Sequence, residues 1–270
     1  MSDHAIKAAA ILARVRIRRP LIHNITNFVV MNITANITLC VGALPVMAHA
    51  REEVEEMAES ADALVLNLGT LWPEQVEAML MAGRRANQRG IPIVLDPVGA
   101  GATEFRTDSA QRLLRELSIS IVRGNSAELA VLAGLNARIS GVEAIDASQD
   151  AAAIALAFTR RHGCVAALTG AVDIVTDGKR VLRITNGHPM MGKVTGTGCM
   201  ATAVVAACAA VEGDLTIAVA AALAGYGFAG EIAAERAQGP GTFQMHLFDA
   251  LAGLTECALR TGARIQEERL

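Results

Sequence analysis

Aromatic side chains are scarce in this sequence, which has six Phe, one Trp and one Tyr in 270 residues. Hydrophobic residues nevertheless make up 52% of the chain, so a large core must be built from Ala, Val, Ile, Leu and Met. That much apolar content excludes an intrinsically disordered chain. Small aliphatic side chains in this proportion are typical of helices packed closely on a parallel sheet and argue against an all-β fold.

An excess of positive charge is missing as well, since 24 Lys and Arg stand against 27 Asp and Glu, a formal net charge of -3. Nucleic acids and anionic membranes attract basic surfaces, so the charge balance favours neither partner. The one basic cluster, within residues 14–19, contains no aromatic residue that could stack on bases and is predicted to be the solvated end of a first helix. We therefore expect a small-molecule partner.

The five cysteines include no CxxC pair, so neither a disulfide framework nor a zinc site is indicated. This predicts reduced thiols in a cytoplasmic protein. The apolar run 8–13 is too short for the core of a signal peptide, so we expect no export signal. The uncharged stretch 194–211 opens with a glycine-rich turn, which leaves too few residues to cross a membrane. A buried helix is predicted there, with a second over 215–230 beside it.

Short β-branched or Leu-rich runs alternate with longer segments whose charges lie on one helical face. This alternation predicts right-handed βαβ units, and hence an α/β fold with a mainly parallel central sheet and helices on both faces. Neither a linker nor a repeat is visible, which indicates a single domain over 1–270. The predicted strands span 21–25, 44–47, 63–68, 91–95, 119–122 and 165–169, the predicted helices span 51–60, 73–89, 107–117, 126–133 and 149–161, and a hairpin at one sheet edge joins 172–176 to 180–184.

Candidate site residues fall where predicted strands end, which is where ligands bind in such sheets. Asp96 closes one strand and Arg123 and Thr169 close two others, while Glu128 follows Asn125 by three residues. Three of them have a structural alternative: Asp96 as a turn former, Glu128 as a capping-box partner, and Arg123 as a surface side chain. Two carboxylates and a guanidinium near a helix N-terminus together suit a Mg-bound polyphosphate.

The turn Gly196-Thr197-Gly198-Cys199 directly precedes the predicted Ala-rich helix. Backbone N–H groups and the positive end of the helix dipole converge there and form an anion site, although close helix packing also selects small residues. The sequence has no GxxxxGK[ST] run and no GxGxxG after a strand. A P-loop and a dinucleotide-binding fold are therefore not supported.

Six distinctive segments occur in order along nearly the whole chain: 20–27 (PLIHNITN), 44–48 (LPVMA), 94–100 (VLDPVGA), 123–125 (RGN), 195–199 (TGTGC) and 239–243 (GPGTF). Together they resemble the hydroxyethylthiazole kinase family. The most specific features are the HNITN motif and Cys199, which stands where related ribokinase-like kinases have a catalytic Asp.

The resemblance implies a ribokinase-like fold and the ATP- and Mg2+-dependent phosphorylation of 5-(2-hydroxyethyl)-4-methylthiazole, a salvage step of thiamine biosynthesis. It also implies a homotrimer whose alcohol site lies between neighbouring subunits. By motif position, the ATP contacts are Arg123, Thr169 and Gly198, the substrate contacts are Met47, Gly196 and Asn24, the metal ligands are Asp96 and Glu128, and the catalytic residue is Cys199.

Two other functions remain open. One is a ribokinase-like kinase for a different small alcohol such as a hydroxymethylpyrimidine, against which Cys199 and the HNITN motif argue. The other is a catalytically silent binding protein on the same scaffold, against which the retention of Asp96, Arg123 and Glu128 argues. Met47 could also simply fill the core. For Cys199 we expect partial thiolate character at best, because the helix start lowers the pKa of the thiol and the charge of a γ-phosphate raises it.

Overall fold

The computed structural model describes residues 2–135 and 147–269, and within these ranges nine strands form one sheet. The strands are β1 (Leu21–Ile25), β2 (Leu44–Val46), β3 (Ala63–Asn67), β4 (Ile93–Asp96), β5 (Ile121–Gly124), β6 (Val165–Leu168), β7 (Asp173–Thr176), β8 (Arg180–Ile184) and β9 (Ile265–Arg269). Their order across the sheet is β2-β1-β3-β4-β5-β6-β7-β8-β9. Strands β1 to β6 pair in parallel, and β7, β8 and β9 are joined to the sheet by antiparallel pairing.

The helices cover both faces of the sheet, as predicted. They are α1 (Asp3–Arg18), α2 (Met31–Val41), α3 (Val54–Ser60), α4 (Pro73–Arg89), α5 (Glu104–Glu116), α6 (Ser126–Leu132), α7 (Ala147–His162), α8 (Thr197–Ala209), α9 (Leu215–Arg236), α10 (Pro240–Gly253) and α11 (Glu256–Gly262), with a 3-10 turn over Pro189–Lys193. Helices α1, α2 and α8 to α11 contribute to one core, and α3 to α7 contribute to the other.

The sequence predicts most of these elements. Strands 21–25 and 180–184 and helix 73–89 have the predicted bounds. The ends of the other predicted elements shift by at most three residues, except that α9 continues to Arg236 instead of ending at 230. The predicted hairpin is confirmed as the antiparallel pair β7 and β8. Its predicted place at the sheet edge is wrong, because β9 pairs with β8 and forms the edge. Strand β9 is mostly charged, so it lacks the apolar alternation that reveals a strand. A charged edge strand also resists pairing with other chains.

Helices α8 and α9 are the two buried helices that the uncharged stretches predict. Ten of the 13 residues of α8 are buried. Helix α9 is long and apolar enough to cross a membrane by length and composition alone, yet 78% of its apolar window is buried inside the protein. Its apolar surface is therefore covered by α1, α8 and α10, which pack against it.

Close packing of α9 imposes a requirement for glycine at position 227. A Cβ there would lie 2.6 Å from the carbonyl oxygen of Asn186, whereas a Cβ at Gly225 on the same helix meets side-chain atoms no closer than 3.7 Å. We expect Gly227→Ala to lower the free energy of unfolding by about 1–3 kcal/mol, since backbone must move. Gly225→Ala, the matched control, is expected to be neutral or to stabilise by up to about 1 kcal/mol through helix propensity. Urea denaturation measures both, and equal losses would contradict the steric explanation.

Candidate active site

The carboxyl ends of five neighbouring parallel strands place a row of polar side chains at one edge of the sheet. Asn67 ends β3 and Asp96 ends β4, and the two residues are paired across these strands. Arg123 lies near the end of β5, Thr169 directly follows β6, and Asn27 follows β1 by two residues. The row therefore results from the parallel topology, and the start of α8 lies against it.

Helix α8 begins with open backbone donors. Gly196 precedes it with φ +88°, and no side chain caps the helix. The first hydrogen bond of the helix joins the Met200 N–H to the Gly196 carbonyl at 2.8 Å, so the amides of residues 197–199 precede the helical ladder. Glycine is required at 196 because of its positive φ and because a Cβ would lie 2.6 Å from Ile33 Cδ1. This geometry fits the predicted anion site.

Asp96 is fully buried, with its carboxylate facing α8. Its Oδ2 accepts hydrogen bonds from Thr202 Oγ1 and Asn67 Nδ2, both at 2.8 Å. Its Oδ1 lies 3.6 Å from Arg123 Nη1 and accepts no hydrogen bond from the described residues. Burial raises the pKa of Asp96, and the positive charge of Arg123 opposes that shift. The carboxylate thus has one oxygen held in place and one without a hydrogen-bond partner.

The three predicted ATP contacts lie together. Arg123 Nη2 donates to Thr169 Oγ1 at 2.5 Å. The guanidinium also packs directly on Gly198, where a Cβ would lie 2.6 Å from Nη1. Glycine at 198 therefore lets the guanidinium reach the helix start. The structure brings Arg123, Thr169 and Gly198 together, while their contacts with ATP remain predictions.

A cavity of about 550 Å³ opens beside these residues. Tyr226, in its wall, donates from its hydroxyl to the Thr197 carbonyl at 3.0 Å and so fixes the turn before α8. Burial raises the pKa of Asp173, another wall residue, to about 6. The remaining wall includes Arg123, Asn125, Thr169, Gly170, Asn186, Gly187, His188 and Gly198.

Cys199 is partly exposed in the first turn of α8. Its sulfur accepts hydrogen bonds from Asn67 Nδ2 at 3.2 Å and from Asn27 Nδ2 at 3.7 Å. Burial first, and the neighbouring Asp96 charge second, raise the pKa of the thiol to about 11 despite these donors. The raised pKa lies within the expectation of partial thiolate character at best, and it adds a cause that the expectation did not include, which is burial.

Glu128 has the capping-box role that the sequence left open. Its Oε2 accepts from the Asn125 N–H, and Asn125 Oδ1 accepts from the Glu128 N–H, both at 2.9 Å. Its Oε1 accepts from the Gly99 N–H at 2.9 Å, which joins the loop after β4 to α6. Carboxylate oxygens have further lone pairs, so capping and metal binding are compatible. The metal role of Glu128 remains a prediction.

Of the three predicted substrate contacts, Met47 and Asn24 are not in the cavity wall, whereas Gly196 directly precedes Thr197, which is. Met47 directly follows β2 and is half-buried. His49 accepts from the Thr26 N–H at 3.0 Å and reaches the Met47 carbonyl at 3.2 Å, so one ring connects the loops after β1 and β2. Asn24 is fully buried and donates to the Ile22 carbonyl of its own strand at 3.0 Å. The structure does not bring Asn24 to the surface of the site, and its substrate contact remains a prediction without geometric support.

Sequence reasoning missed three side chains of the site: Asn27, Asn67 and Thr202. Asn67 is the last polar residue of the predicted strand 63–68, and Asn27 lies within the HNITN motif just after the predicted strand 21–25. The rule that found Asp96 could therefore have found both. Thr202 follows Cys199 by three residues and therefore shares its helix face. The hydrogen bonds that join these side chains to Asp96 and Cys199 reach residues far away in sequence, so no local pattern reveals them.

The fold of this protein places it in a structural class. The structure is similar to a ribokinase-like superfamily protein from Enterococcus faecalis, with a TM-score of 0.60 at 13% identity over 94% of this chain and 83% of that chain. It also resembles an ADP complex of Bacillus subtilis pyridoxal kinase, with a TM-score of 0.56 at 16% identity over 75% of this chain and 88% of that chain. These likenesses confirm the ribokinase-like fold.

Closer similarities identify the family. The model of the hydroxyethylthiazole kinase family matches residues 12–257. Hydroxyethylthiazole kinases from Chloroflexus aurantiacus and Desulforudis audaxviator are 56% and 52% identical, over 96% and 100% of this chain and 96% and 98% of theirs. The structure of the hydroxyethylthiazole kinase protein from Pyrococcus horikoshii OT3 has a TM-score of 0.90 at 44% identity, over 97% of this chain and 99% of that one. The chain belongs to the hydroxyethylthiazole kinase family.

The pKa of Cys199, about 11, predicts slow alkylation at neutral pH. Because only the thiolate reacts, we expect the rate with iodoacetamide to rise about tenfold for each pH unit from 7 to 10 without a plateau. Mass spectrometry of the Cys199 peptide measures the rate, and Cys257→Ser removes the exposed competing thiol. A plateau near pH 8 would contradict a raised pKa.

Proposed function

We propose that this protein transfers the γ-phosphoryl group of ATP to the hydroxyl of 5-(2-hydroxyethyl)-4-methylthiazole, a salvage step of thiamine biosynthesis. Membership of the family supports the substrate and the reaction. The observation that carries the mechanism is the meeting of Asp96, Arg123 and Cys199 at the uncapped start of α8. Phosphoryl transfer depends mainly on positioning and on stabilisation of negative charge, and this arrangement offers both.

The cavity beside α8 is the proposed ATP site. Its wall contains the guanidinium of Arg123, the hydroxyl of Thr169 and the backbone at Gly198. Arg123 is a permanent cation with planar donors, which suits phosphate oxygens. The open amides at the start of α8 face the same place and stabilise charge on the transferred phosphoryl group without rearrangement. ATP bound in the cavity would therefore place its phosphate end beside Cys199.

The carboxylates fit a magnesium ion that arrives with ATP. Asp96 Oδ1 is a hard anionic ligand that accepts no hydrogen bond from the part of the chain that the structure describes and lies 3.6 Å from the Nη1 of Arg123, which is in the cavity wall. Glu128 is a second carboxylate whose charge reaches Asp96. Among the described residues, no group of three or more His, Cys, Asp or Glu could hold a metal, so phosphate oxygens and water must complete the coordination. When bound, Mg2+ neutralises charge on the polyphosphate.

Cys199 is proposed to orient the substrate hydroxyl. Late in the reaction its sulfur accepts the hydroxyl proton while the thiol proton passes to an oxygen of the transferred phosphoryl group, so the thiol stays neutral. The transition state of phosphoryl transfer is loose, so the alcohol need not be deprotonated early and a neutral thiol suffices. Met47, at the end of β2, is proposed to contact the apolar thiazole ring, and the backbone at Gly196 to contact the alcohol. Asn24 is the third predicted substrate contact, but its buried position does not support a contact with the alcohol.

The proposed assembly is a homotrimer with the alcohol site shared between subunits, working in the cytoplasm. Phe28 and Val29, directly after Asn27, are 64% and 63% exposed, and Phe28 stacks on Trp72 with ring centroids 5.0 Å apart. Apolar side chains exposed beside a site support coverage by a second subunit. Light scattering during turnover tests the trimer, and a fully active monomer would overturn it. Fractionation of cells with an antibody against the protein tests the location.

Turnover with a panel of alcohols tests the reaction itself. The purified protein with ATP and Mg2+ is expected to phosphorylate the thiazole alcohol far faster than a hydroxymethylpyrimidine, as measured by mass spectrometry of the phosphate ester. Preference for the pyrimidine alcohol would favour a different ribokinase-like kinase. Binding without any turnover would favour a silent binding protein.

Arg123→Ala and Met47→Ala are expected to have opposite effects on the two substrates. Loss of the guanidinium removes contacts with phosphate oxygens and should raise the KM for ATP far more than the KM for the alcohol. Met47→Ala should raise the KM for the alcohol and leave the KM for ATP unchanged. Steady-state kinetics and melting curves measure both variants. If Met47→Ala lowers only the melting temperature, Met47 fills the core and does not bind substrate.

Cys199→Ala is expected to lower kcat by roughly 10- to 1000-fold, the scale on which a positioned proton acceptor acts, while ATP still binds through the backbone amides. Cys199→Asp places a carboxylate at the same helix start and should keep substantial activity or exceed the parent. Steady-state rates on the thiazole alcohol measure both. If Cys199→Ala leaves kcat unchanged and Cys199→Asp abolishes it, Cys199 only packs beside the anion site.

A further inference from the structure

Two buried asparagines lie against Cys199 and have no part in the mechanism described so far. Asn67 is 1% exposed and Asn27 is 4% exposed. Asn67 Nδ2 donates to Asp96 Oδ2 at 2.8 Å and to the Cys199 sulfur at 3.2 Å. Asn27 Nδ2 donates to Asn67 Oδ1 at 2.7 Å and reaches the same sulfur at 3.7 Å. The side chains form a continuous chain of hydrogen bonds from Asp96 to Asn27 along the sheet edge.

Backbone donors fix the orientation of both amides. The Gly69 N–H donates to Asn67 Oδ1 at 3.0 Å, and the Val29 N–H donates to Asn27 Oδ1 at 3.1 Å. A backbone N–H can only donate, so each Oδ1 must face it and each Nδ2 must face the other way. Both NH2 groups therefore point toward Cys199, whose sulfur acts as the acceptor.

We propose that Asn67, braced by Asn27, is a positioning residue for phosphoryl transfer: it holds the Cys199 sulfur beside Asp96 and leaves the thiol hydrogen free to pass to the phosphoryl group as the substrate hydroxyl gives up its proton. This inference rests on the proposed function. The amide of Asn67 carries no charge. It therefore fixes the Cys199 sulfur relative to the Asp96 carboxylate without adding to the charge of the site. Misplacement of a reacting group by about 1 Å can cost on the order of 100-fold in rate.

The loop after β3 is built around these amides. A Cβ at Gly69 would lie 2.3 Å from Asn27 Nδ2, so the Asn27 amide packs directly on the glycine backbone. The same glycine supplies the N–H that orients Asn67. The loop therefore allows both amides only one arrangement. In it, one hydrogen of each Nδ2 bonds to an oxygen and the other faces the Cys199 sulfur. Asn67 does not line the ATP cavity, which separates its role from nucleotide binding.

A comparison across three backgrounds tests the inference. Asn67→Leu keeps the size of the side chain and removes its donors. In the parent and in Cys199→Asp we expect it to lower kcat by about 10- to 100-fold with little change in the KM for ATP. In Cys199→Ala we expect a loss below about threefold, because a residue that acts through Cys199 has no further effect once the sulfur is gone. Equal losses in the three backgrounds would overturn the proposal.

Thr202→Val is the matched control, since it also removes a hydrogen bond to Asp96 Oδ2 but leaves both asparagines in place. The fold-loss of kcat caused by Thr202→Val is expected to be the same, within about threefold, in the parent and in Cys199→Ala. If Asn67→Leu behaves in the same way as this control, Asn67 acts through Asp96 alone and the proposal fails. Asn67→Ser replaces Asn67→Leu in the comparison if the apolar variant does not fold.

Raman spectroscopy supplies a readout that does not depend on turnover. The S–H stretching band of Cys199 is the one lost in Cys199→Ala, and it is expected to shift in Asn67→Leu because the sulfur loses a donor. An unshifted band would overturn the proposal even in an active enzyme. Failure of the parent to phosphorylate the thiazole alcohol, with the band shifted, would instead count against the proposed function alone.

Discussion

The buried carboxylate of Asp96 is the constraint on which the rest of the site depends. A carboxylate removed from water is stable only when its oxygens are hydrogen-bonded or paired with a cation. Here the partners come from three different elements: Asn67 from β3, Thr202 from α8 and the guanidinium of Arg123 from β5. One buried group therefore fixes how α8 sits on the carboxyl edge of the sheet. The open amides of α8 face the cavity as a consequence.

Because α8 is held this close, glycine is needed wherever the chain meets a side chain of the site. Gly196 allows the left-handed turn before the helix, Gly198 accommodates the guanidinium of Arg123, and Gly69 accommodates the amide of Asn27. The glycine-rich motif thus has two purposes that the sequence could not separate. It frees backbone donors for an anion, and it lets polar side chains approach the backbone to within van der Waals contact.

The parallel sheet is the reason that the sequence predicts both the fold and part of the site. Alternating elements indicate a parallel sheet, and parallel strands bring Asp96, Arg123 and Thr169 to one edge whatever the loops between them do. Two kinds of feature escape this reasoning. Strand β9 is too charged to be recognised, and the position of Asn67 beside Cys199, 132 residues away in sequence, depends on how α8 packs. The raised pKa of Cys199 also follows from burial, which local sequence does not show.

The identity of residue 199 determines how much negative charge the site holds before ATP binds. A carboxylate at this position would place a second anion beside Asp96, and like charges in a buried site raise each other's pKa. Glu128 already has this effect on Asp96. A thiol is uncharged at pH 7 and avoids the repulsion, although it is a weaker stabiliser of a proton in flight than an ionised carboxylate. Cys199 is therefore a weaker base than a carboxylate would be. In return, the site does not need a bound cation to hold Asp96 and its partners together.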